Sequence, residues 1–163
     1  MEFVVYLAGE IHTKWREELK EKAHSLQLPL TFVGPMENHD RSDLIGEEIL
    51  GKQPNDIFRD EAASSINNLR TELLLKKADI VIALFGDKYR QWNTAMDASM
   101  AVTLGKPLIL IRPEHLHHPL KELSRKANVT VETVDQAVQV ISYLFATNNR
   151  EGNTENNRCS LLL

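Results

Sequence analysis

The chain has 163 residues, 42% of them hydrophobic and 26% charged, with one cysteine and a net charge of −4. This length predicts one domain with a sizeable core, and the single cysteine excludes an internal disulfide framework and a four-cysteine zinc site. The acidic balance argues against binding to nucleic acid or an anionic membrane, and the short apolar runs and acidic start favour a soluble, cytoplasmic chain without a membrane span or signal peptide.

Apolar runs alternate with amphipathic stretches along most of the chain, which predicts alternating strands and helices. In chain order the predicted elements are a strand at 3–8, a helix at 13–27, a strand at 30–33, a helix at 64–77, a strand at 79–85, a helix at 94–104, a strand at 107–111, a helix at 119–127, a strand at 129–132 and a helix at 134–145. Within the helix at 64–77, Ser64 or Ser65 is the expected cap.

Two segments do not follow this alternation. Residues 34–61 show no clear strand and only a weak helical pattern around 45–50, so we expect a long functional or mobile loop there. Residues 147–163 are polar and aperiodic, which predicts a disordered C-terminal tail that contains Cys159. The expected folded domain is therefore 1–146.

The order of the elements predicts an α/β fold with three layers, a doubly wound sheet of five parallel strands with helices on both faces. In a flavodoxin-like strand order 2-1-3-4-5, ligands bind beyond the carboxyl ends of the strands, between the first and third strands. The expected site therefore lies at the loops 9–15 and 86–93.

The loop after the first strand begins with Gly9 and Glu10. A glycine at this point allows close approach of a ligand, and the helix that follows favours an anion at its N-terminus. The loop has neither a GxGxxG nor a P-loop pattern, so no dinucleotide or ATP fingerprint is present. The alternative interpretation is that Gly9 only makes a turn and Glu10 is a solvated charge.

The loop after the third strand contributes Trp92, Asn93 and Asp97 to the same crevice. We expect Asp97 in the first turn of a helix, where the helix dipole keeps the carboxylate ionised and able to attack or stabilise an electrophilic sugar carbon. The alternative is a capping box in which Asp97 only satisfies the backbone N–H of Thr94. Trp92 and Trp15 are candidates for stacking on a base, although Trp15 also fits the apolar face of its helix.

Two further polar segments are candidate ligand sites. Arg41 lies in a dense polar run over the end of the second strand, a candidate lid in which it pairs with a phosphate or carboxylate. The histidines 115, 117 and 118 have no carboxylate or cysteine companion in their segment, so we favour a polar loop over a metal site. No metal and no cofactor are expected.

Residues 5–9 and 77–110, with the blocks VYLAG and AMDASMAVTLGKPLIL, resemble the nucleoside 2-deoxyribosyltransferase superfamily, including its nucleotide N-glycosidase branch. Residues 1–145 as a whole resemble its small YtoQ-type branch, and residues 32–43 carry the most specific part of that likeness. The resemblance implies that Asp97 stands where the superfamily has a nucleophilic glutamate. It also implies that Thr71 stands where the superfamily has an aspartate.

The same resemblance implies first-loop ligand contacts at four positions, namely Gly9, Ile11, His12 and Thr13. We expect an enzyme acting on the N-glycosidic bond of a nucleoside, nucleotide or related ribosyl compound, with Asp97 as nucleophile or cation stabiliser and Glu10 as a second carboxylate. Arg41 or His12 would contact phosphate or sugar hydroxyls. A homodimer or larger homo-oligomer is expected. The alternatives are a non-catalytic nucleotide or nucleotide-sugar binding module and, third, a scaffold or interaction protein.

Overall fold

The computed structural model describes residues 2–88 and 90–146. In chain order its elements are β1 Phe3–Gly9, α1 Trp15–Ser25, β2 Leu30–Val33, α2 His39–Leu50, α3 Asp56–Lys77, β3 Ile80–Leu84, α4 Trp92–Thr103, β4 Leu108–Ile111, a 3₁₀ turn Glu114–Leu116, α5 Lys121–Lys126, β5 Val129–Val131 and α6 Val134–Leu144. The strands are parallel in the order β2-β1-β3-β4-β5, which confirms the predicted fold. The predicted tail lies outside the described residues.

The interior strand β1 is buried on both faces, and its side chains divide the core into two parts. Val5 and Leu7 belong to a cluster that includes residues of α1 and α6. Tyr6 and Ala8 belong to a cluster on the other face, which includes residues of α3 and α4. This alternation follows from the period of two in a strand, and it gives the three layers that the apolar pattern predicted.

The prediction of a long loop at 34–61 is wrong, because this segment holds α2 and the first turns of α3. The side chains of Asn38 and Asn55 cap the two helices by accepting a backbone N–H three residues ahead, at 2.9 and 3.2 Å. Ser64 and Ser65 therefore lie inside α3 and do not begin it. An asparagine is a favourable N-cap since its side-chain oxygen satisfies an orphan backbone donor.

The packing of α2 on α3 explains why the pattern of apolar residues did not reveal the pair. The helices meet at Gly46, where an added Cβ would lie 2.6 Å from the nitrogen of Ala63 and 2.7 Å from the Cβ of Ala62. The side-chain amide of Asn67 also donates to the backbone oxygen of Ser42 at 2.9 Å. Small and polar residues make this contact, so no apolar stripe marks it in the sequence.

Candidate functional site

A cavity of about 800 Å³ opens beside the carboxyl ends of β1 and β3, where the strand order predicted the crevice. The β1–α1 loop, α2, α3, the β3–α4 loop and the start of α4 all contribute to its walls. The predicted site residues that line it are Gly9, Glu10, Ile11, His12, Trp92, Asn93 and Asp97. The structure therefore brings both predicted carboxylates to one cavity.

Two predicted ligand contacts, Thr13 and Arg41, are not among the lining residues. Thr13 donates its backbone N–H, at 3.0 Å, and its hydroxyl to the carboxylate of Glu10. Arg41 is exposed on α2, and its backbone N–H donates to the Asn38 cap. Thr13 therefore acts on the site through Glu10, whereas Arg41 lies away from the cavity wall.

Asp97 lies in the second turn of α4 and not in its first, because the helix begins at Trp92. It is therefore not part of a capping box with Thr94. The carboxylate is buried, and the hydroxyl of Tyr6 donates to its Oδ2 at 3.0 Å. A buried hydroxyl on an otherwise apolar strand needs a polar partner, and Asp97 is that partner for Tyr6.

Burial opposes the ionisation of Asp97 that we expected from the helix dipole. Burial raises the pKa of Asp97 to about 6, although the hydrogen bond from Tyr6 and the charge of Arg16 act in the opposite direction. Burial and the Asp97 carboxylate raise the pKa of Tyr6 well above its usual range, so Tyr6 stays protonated and able to donate. The acid and its donor form a buried pair whose protonation changes near pH 6.

This raised pKa predicts a pH-dependent effect of Asp97→Asn on stability. The folded chain holds the Asp97 proton more tightly than the unfolded chain, so its stabilising contribution is present below pH 4 and is lost as the pH rises through about 6. Asparagine still accepts the Tyr6 bond without charge. We therefore expect Asp97→Asn to raise the melting temperature more at pH 8 than at pH 5.

Thermal unfolding of both chains at the two pH values measures this difference. The matched control is Asp40→Asn, which changes an exposed aspartate that does not line the cavity. Its effect on the melting temperature should be the same at both pH values. A stabilisation by Asp97→Asn that is equal at pH 5 and pH 8 would contradict the raised pKa.

Glu10 has a different environment, because its carboxylate turns back onto its own loop. It accepts the backbone N–H groups of His12 and Thr13, at 2.5 and 3.0 Å, and the hydroxyl of Thr13. Burial acts to raise the pKa of Glu10, but these hydrogen bonds outweigh it and the pKa is lowered. Glu10 is thus an ionised group that fixes the loop shape while it faces the cavity.

The two tryptophans of the predicted crevice have separate roles. Trp15 is buried in the α1 layer, its ring lies against Gly9 so closely that an added Cβ would be 2.6 Å away, and its Nε1 donates to the backbone oxygen of Glu10 at 3.1 Å. Trp92 lines the cavity with 71% of its surface exposed. Trp15 is therefore a core residue that supports the loop, and Trp92 is the available aromatic surface.

Gln91 shapes the β3–α4 loop, a role that no sequence pattern indicates. It adopts a left-handed conformation with φ 51° just before α4. Its side-chain amide donates to the backbone oxygens of Gly86 and Lys88, both at 2.8 Å, and its Oε1 accepts the Gly86 N–H at 3.3 Å. Gln91 thereby closes the loop that leads into α4.

The α2–α3 pair supplies a wall of the cavity that sequence reasoning missed. The ring of His39 lies 5.7 Å from that of His12, and its Nδ1 is 3.4 Å from a carboxylate oxygen of Asp43. Most of the remaining lining residues of this wall are polar, namely Ser42, Asp60, Ser64, Asn67, Asn68, Arg70 and Thr71. The Asn38 and Asn55 caps were the available signal for these helices.

His115 and His117 make ordinary polar contacts. His115 Nε2 lies 2.6 Å from an Asp87 carboxylate oxygen, and Arg112 Nη2 lies 3.0 Å from His117 Nδ1. Among residues 2–88 and 90–146, no group of three or more His, Cys, Asp or Glu side chains is arranged to hold a metal ion. In the same ranges, no helix is both long and apolar enough to cross a membrane.

Comparison with known proteins shows which protein family this chain is similar to. A family model described as nucleoside 2-deoxyribosyltransferase YtoQ matches residues 6–145. The YtoQ protein of Bacillus subtilis strain 168 is 73% identical over 147 residues, which cover 90% of this chain and 99% of that protein. The family match includes the β1–α1 loop and α4.

Two solved structures have the same fold at low sequence identity. A conserved protein of Enterococcus faecalis V583 superposes with a TM-score of 0.61 at 14% identity, over 88% of this chain and 99% of that chain. A 2-deoxyribosyltransferase of Bacillus psychrosaccharolyticus superposes with a TM-score of 0.52 at 20% identity, over 83% of this chain and 90% of that chain. These likenesses support the fold assignment.

Proposed function

Because the chain belongs to the YtoQ family of nucleoside 2-deoxyribosyltransferases, we propose that it breaks the N-glycosidic bond of a nucleoside, nucleotide or related ribosyl compound. The observation that carries this proposal is the environment of Asp97. This buried carboxylate lines a cavity of about 800 Å³, and it receives a hydrogen bond from Tyr6. A shielded carboxylate in such a cavity suits attack on an electrophilic sugar carbon.

In the proposed first step, an Oδ atom of Asp97 attacks the anomeric carbon. The bond to the base nitrogen breaks, both of its electrons pass to the base, and the base takes up one proton. In the second step another base, or water, attacks the same carbon, the ester to Asp97 breaks, and the attacking group loses one proton. The pKa of about 6 leaves Asp97 ionised above that pH, as a nucleophile requires.

The hydrogen bonds of Glu10 favour an ionised hydrogen-bond acceptor over a proton donor. A carboxylate has about four acceptor positions, and three donors of the loop already use Glu10. We assign to Glu10 the shaping of the loop and the acceptance of a ligand hydroxyl. Imidazole is the most common general acid of enzymes, so His12 and His39 at the cavity are the candidates to protonate the leaving base.

One observation favours a second function, a binding module without turnover. Thr71 lines the cavity with a neutral hydroxyl where the superfamily has an aspartate, and Asp97 is one methylene shorter than the expected glutamate. A protein that only binds a nucleotide or nucleotide-sugar would tolerate both the missing carboxylate at Thr71 and the shorter side chain of Asp97. This alternative predicts binding without product.

The test is incubation of the chain with a panel of nucleosides and nucleoside monophosphates, with and without a second free base. Liquid chromatography would separate free base, free sugar and exchanged nucleoside. Base release alone would indicate hydrolysis, and exchange of bases would indicate transfer. Saturable calorimetric binding of a panel member without product would support the binding module and contradict the enzyme.

The exposed ring of Trp92 leads to a prediction about ligand affinity. Stacking of a base on an aromatic ring contributes about 1–3 kcal/mol, so Trp92→Ala should weaken binding of the best panel ligand by about 5- to 150-fold. Calorimetric titration measures this change. The control is Tyr143→Ala, which removes an exposed aromatic side chain of α6 that does not line the cavity. Equal affinity in both variants would contradict a stacking role for Trp92.

We also propose a homodimer or larger homo-oligomer. Several large apolar side chains are exposed on α3 and α4, and Trp92 and Met96 among them line the cavity. Burial of such a surface against a second copy would remove apolar area from water and narrow the mouth of the cavity. The cytoplasmic location expected from the composition stays a prediction.

A further inference from the structure

Arg16 is a buried cation beneath the β1–α1 loop. Its guanidinium donates to three backbone oxygens, from Nη1 to Glu10 at 2.6 Å, from Nη2 to Gly9 at 2.7 Å and from Nε to Leu7 at 3.3 Å. It also lies 4.7 Å from the centroid of the Trp15 ring. Within residues 2–88 and 90–146, no carboxylate lies within 4.0 Å of this guanidinium, so neutral oxygens and an aromatic ring hold the charge.

The three acceptors of Arg16 are the last backbone oxygens of β1 and the first of the loop that lines the cavity. Because these oxygens point down to the guanidinium, their positions fix the course of the chain from Leu7 to Glu10. The next two N–H groups, of His12 and Thr13, then reach the Glu10 carboxylate. The guanidinium and the carboxylate thus hold the loop from its two sides.

We infer that Arg16 is a positioning residue of the site, which holds the loop that presents Glu10 to the cavity. Its buried charge also acts on Asp97, which lines the same cavity. The catalytic consequence rests on the proposed function, but the structural and electrostatic roles do not. Arginine suits them, because its planar fork reaches several acceptors and stays protonated when buried.

The electrostatic part depends on which charges face Arg16 and Asp97. Arg16 is faced by Glu37, Glu10, Tyr6 and Asp97, and its charge lowers the pKa of Asp97 against the larger effect of burial. Glu37 is half-exposed, and its carboxylate also lies 3.7 Å from a lysine ammonium, so solvent and this lysine screen it. Glu37 therefore leaves part of the Arg16 charge to act on Asp97.

The test measures the pKa of Asp97 directly, by NMR titration of chains carrying ¹³C at the aspartate carboxyl carbons, with the Asp97 signal assigned through D97N. Arg16→Gln removes the charge and should raise this pKa by about half a unit to one unit. Arg16→Lys keeps the charge and should give a smaller shift. Arg41→Gln, an exposed arginine away from the cavity wall, is the control and should give none.

Amide hydrogen exchange measures the positioning part in the same samples. The N–H groups of His12 and Thr13 should exchange at least severalfold faster in both Arg16 variants than in the wild type, and at the wild-type rate in Arg41→Gln. If Arg16→Gln does not fold, Arg16→Lys carries this measurement, because lysine lacks the planar fork but keeps the charge.

Two results would overturn the inference. An Asp97 pKa that is equal in the wild type and Arg16→Gln would remove the electrostatic role, and unchanged exchange at His12 and Thr13 in Arg16→Lys would remove the positioning role. Both readouts are independent of turnover, so a chain inactive on every glycoside would contradict the proposed function and not this inference. Where turnover is found, its pH midpoint should move with the Asp97 pKa, which a purely structural role would not produce.

Discussion

Asp97→Asn is expected to lower kcat on the best glycoside of the panel by at least about 10³-fold. Asparagine nearly matches the size of aspartate and can still accept the hydrogen bond from Tyr6, so the cavity should keep its shape. It is a far weaker nucleophile than a carboxylate, and it carries no charge to stabilise a cationic sugar. The loss should therefore appear in kcat, with little change in ligand affinity.

Steady-state kinetics and calorimetry on the same preparations separate these quantities. Asp40→Asn is again the control, and it should retain wild-type kinetics because its exposed side chain does not line the cavity. Circular dichroism should show the same helix content in all three chains. Unchanged turnover in a folded Asp97→Asn variant would remove Asp97 from the mechanism.

Gly46→Ala is expected to destabilise the fold by about 1–3 kcal/mol, although the same change inside a helix ordinarily stabilises by roughly 1 kcal/mol. The reversal follows from the 2.6 Å approach of the added Cβ to the backbone nitrogen of Ala63. Backbone atoms cannot rotate away as a side chain can, so α2 must move from α3. Urea unfolding measures the free energy of unfolding.

The control for this prediction is Gly86→Ala, where the nearest atom to the new Cβ is 3.8 Å away and belongs to a flexible leucine side chain. Its effect on the free energy of unfolding should lie within about 0.5 kcal/mol. Because α2 and α3 form one wall of the cavity, Gly46→Ala should also weaken ligand binding. A Gly46→Ala chain as stable as the wild type would show that α2 moves freely.

The sequence predicted the sheet better than the helices of the cavity wall. Strands such as β3 are buried on both faces and read as continuous apolar runs, so their existence and order followed from the pattern and the topology rules. The helix α2 packs through Gly46 and has exposed apolar side chains such as Ile49 and Leu50, so its apolar residues do not mark a buried stripe. Its cap, Asn38, lies in a run of polar residues that predicts a loop equally well.

Sequence reasoning predicted the site residues whose location follows from strand topology. It missed those that reach the site through tertiary contacts. Glu10 and Asp97 were expected at one crevice, and both line the cavity. The partners Tyr6 and Arg16 were not predicted as site residues, because Tyr6 lies within an apolar strand and Arg16 within a charged helix, and each meets the site only after folding. The same burial explains why the raised pKa of Asp97 was not predicted, since local position on a helix says nothing about solvent access.

The hydrogen bond between Tyr6 and Asp97 joins residues 91 positions apart, and it depends on the pairing of β1 with β3 across the whole α2–α3 segment. Closing so long a loop is entropically costly and slow, and contacts within a single local segment cannot form this hydrogen bond before the loop closes. Short fragments and early folding species should therefore lack the acid and its donor as a pair. In a nascent chain, the Tyr6–Asp97 pair would therefore form late in folding, after α2 and α3 have packed against each other.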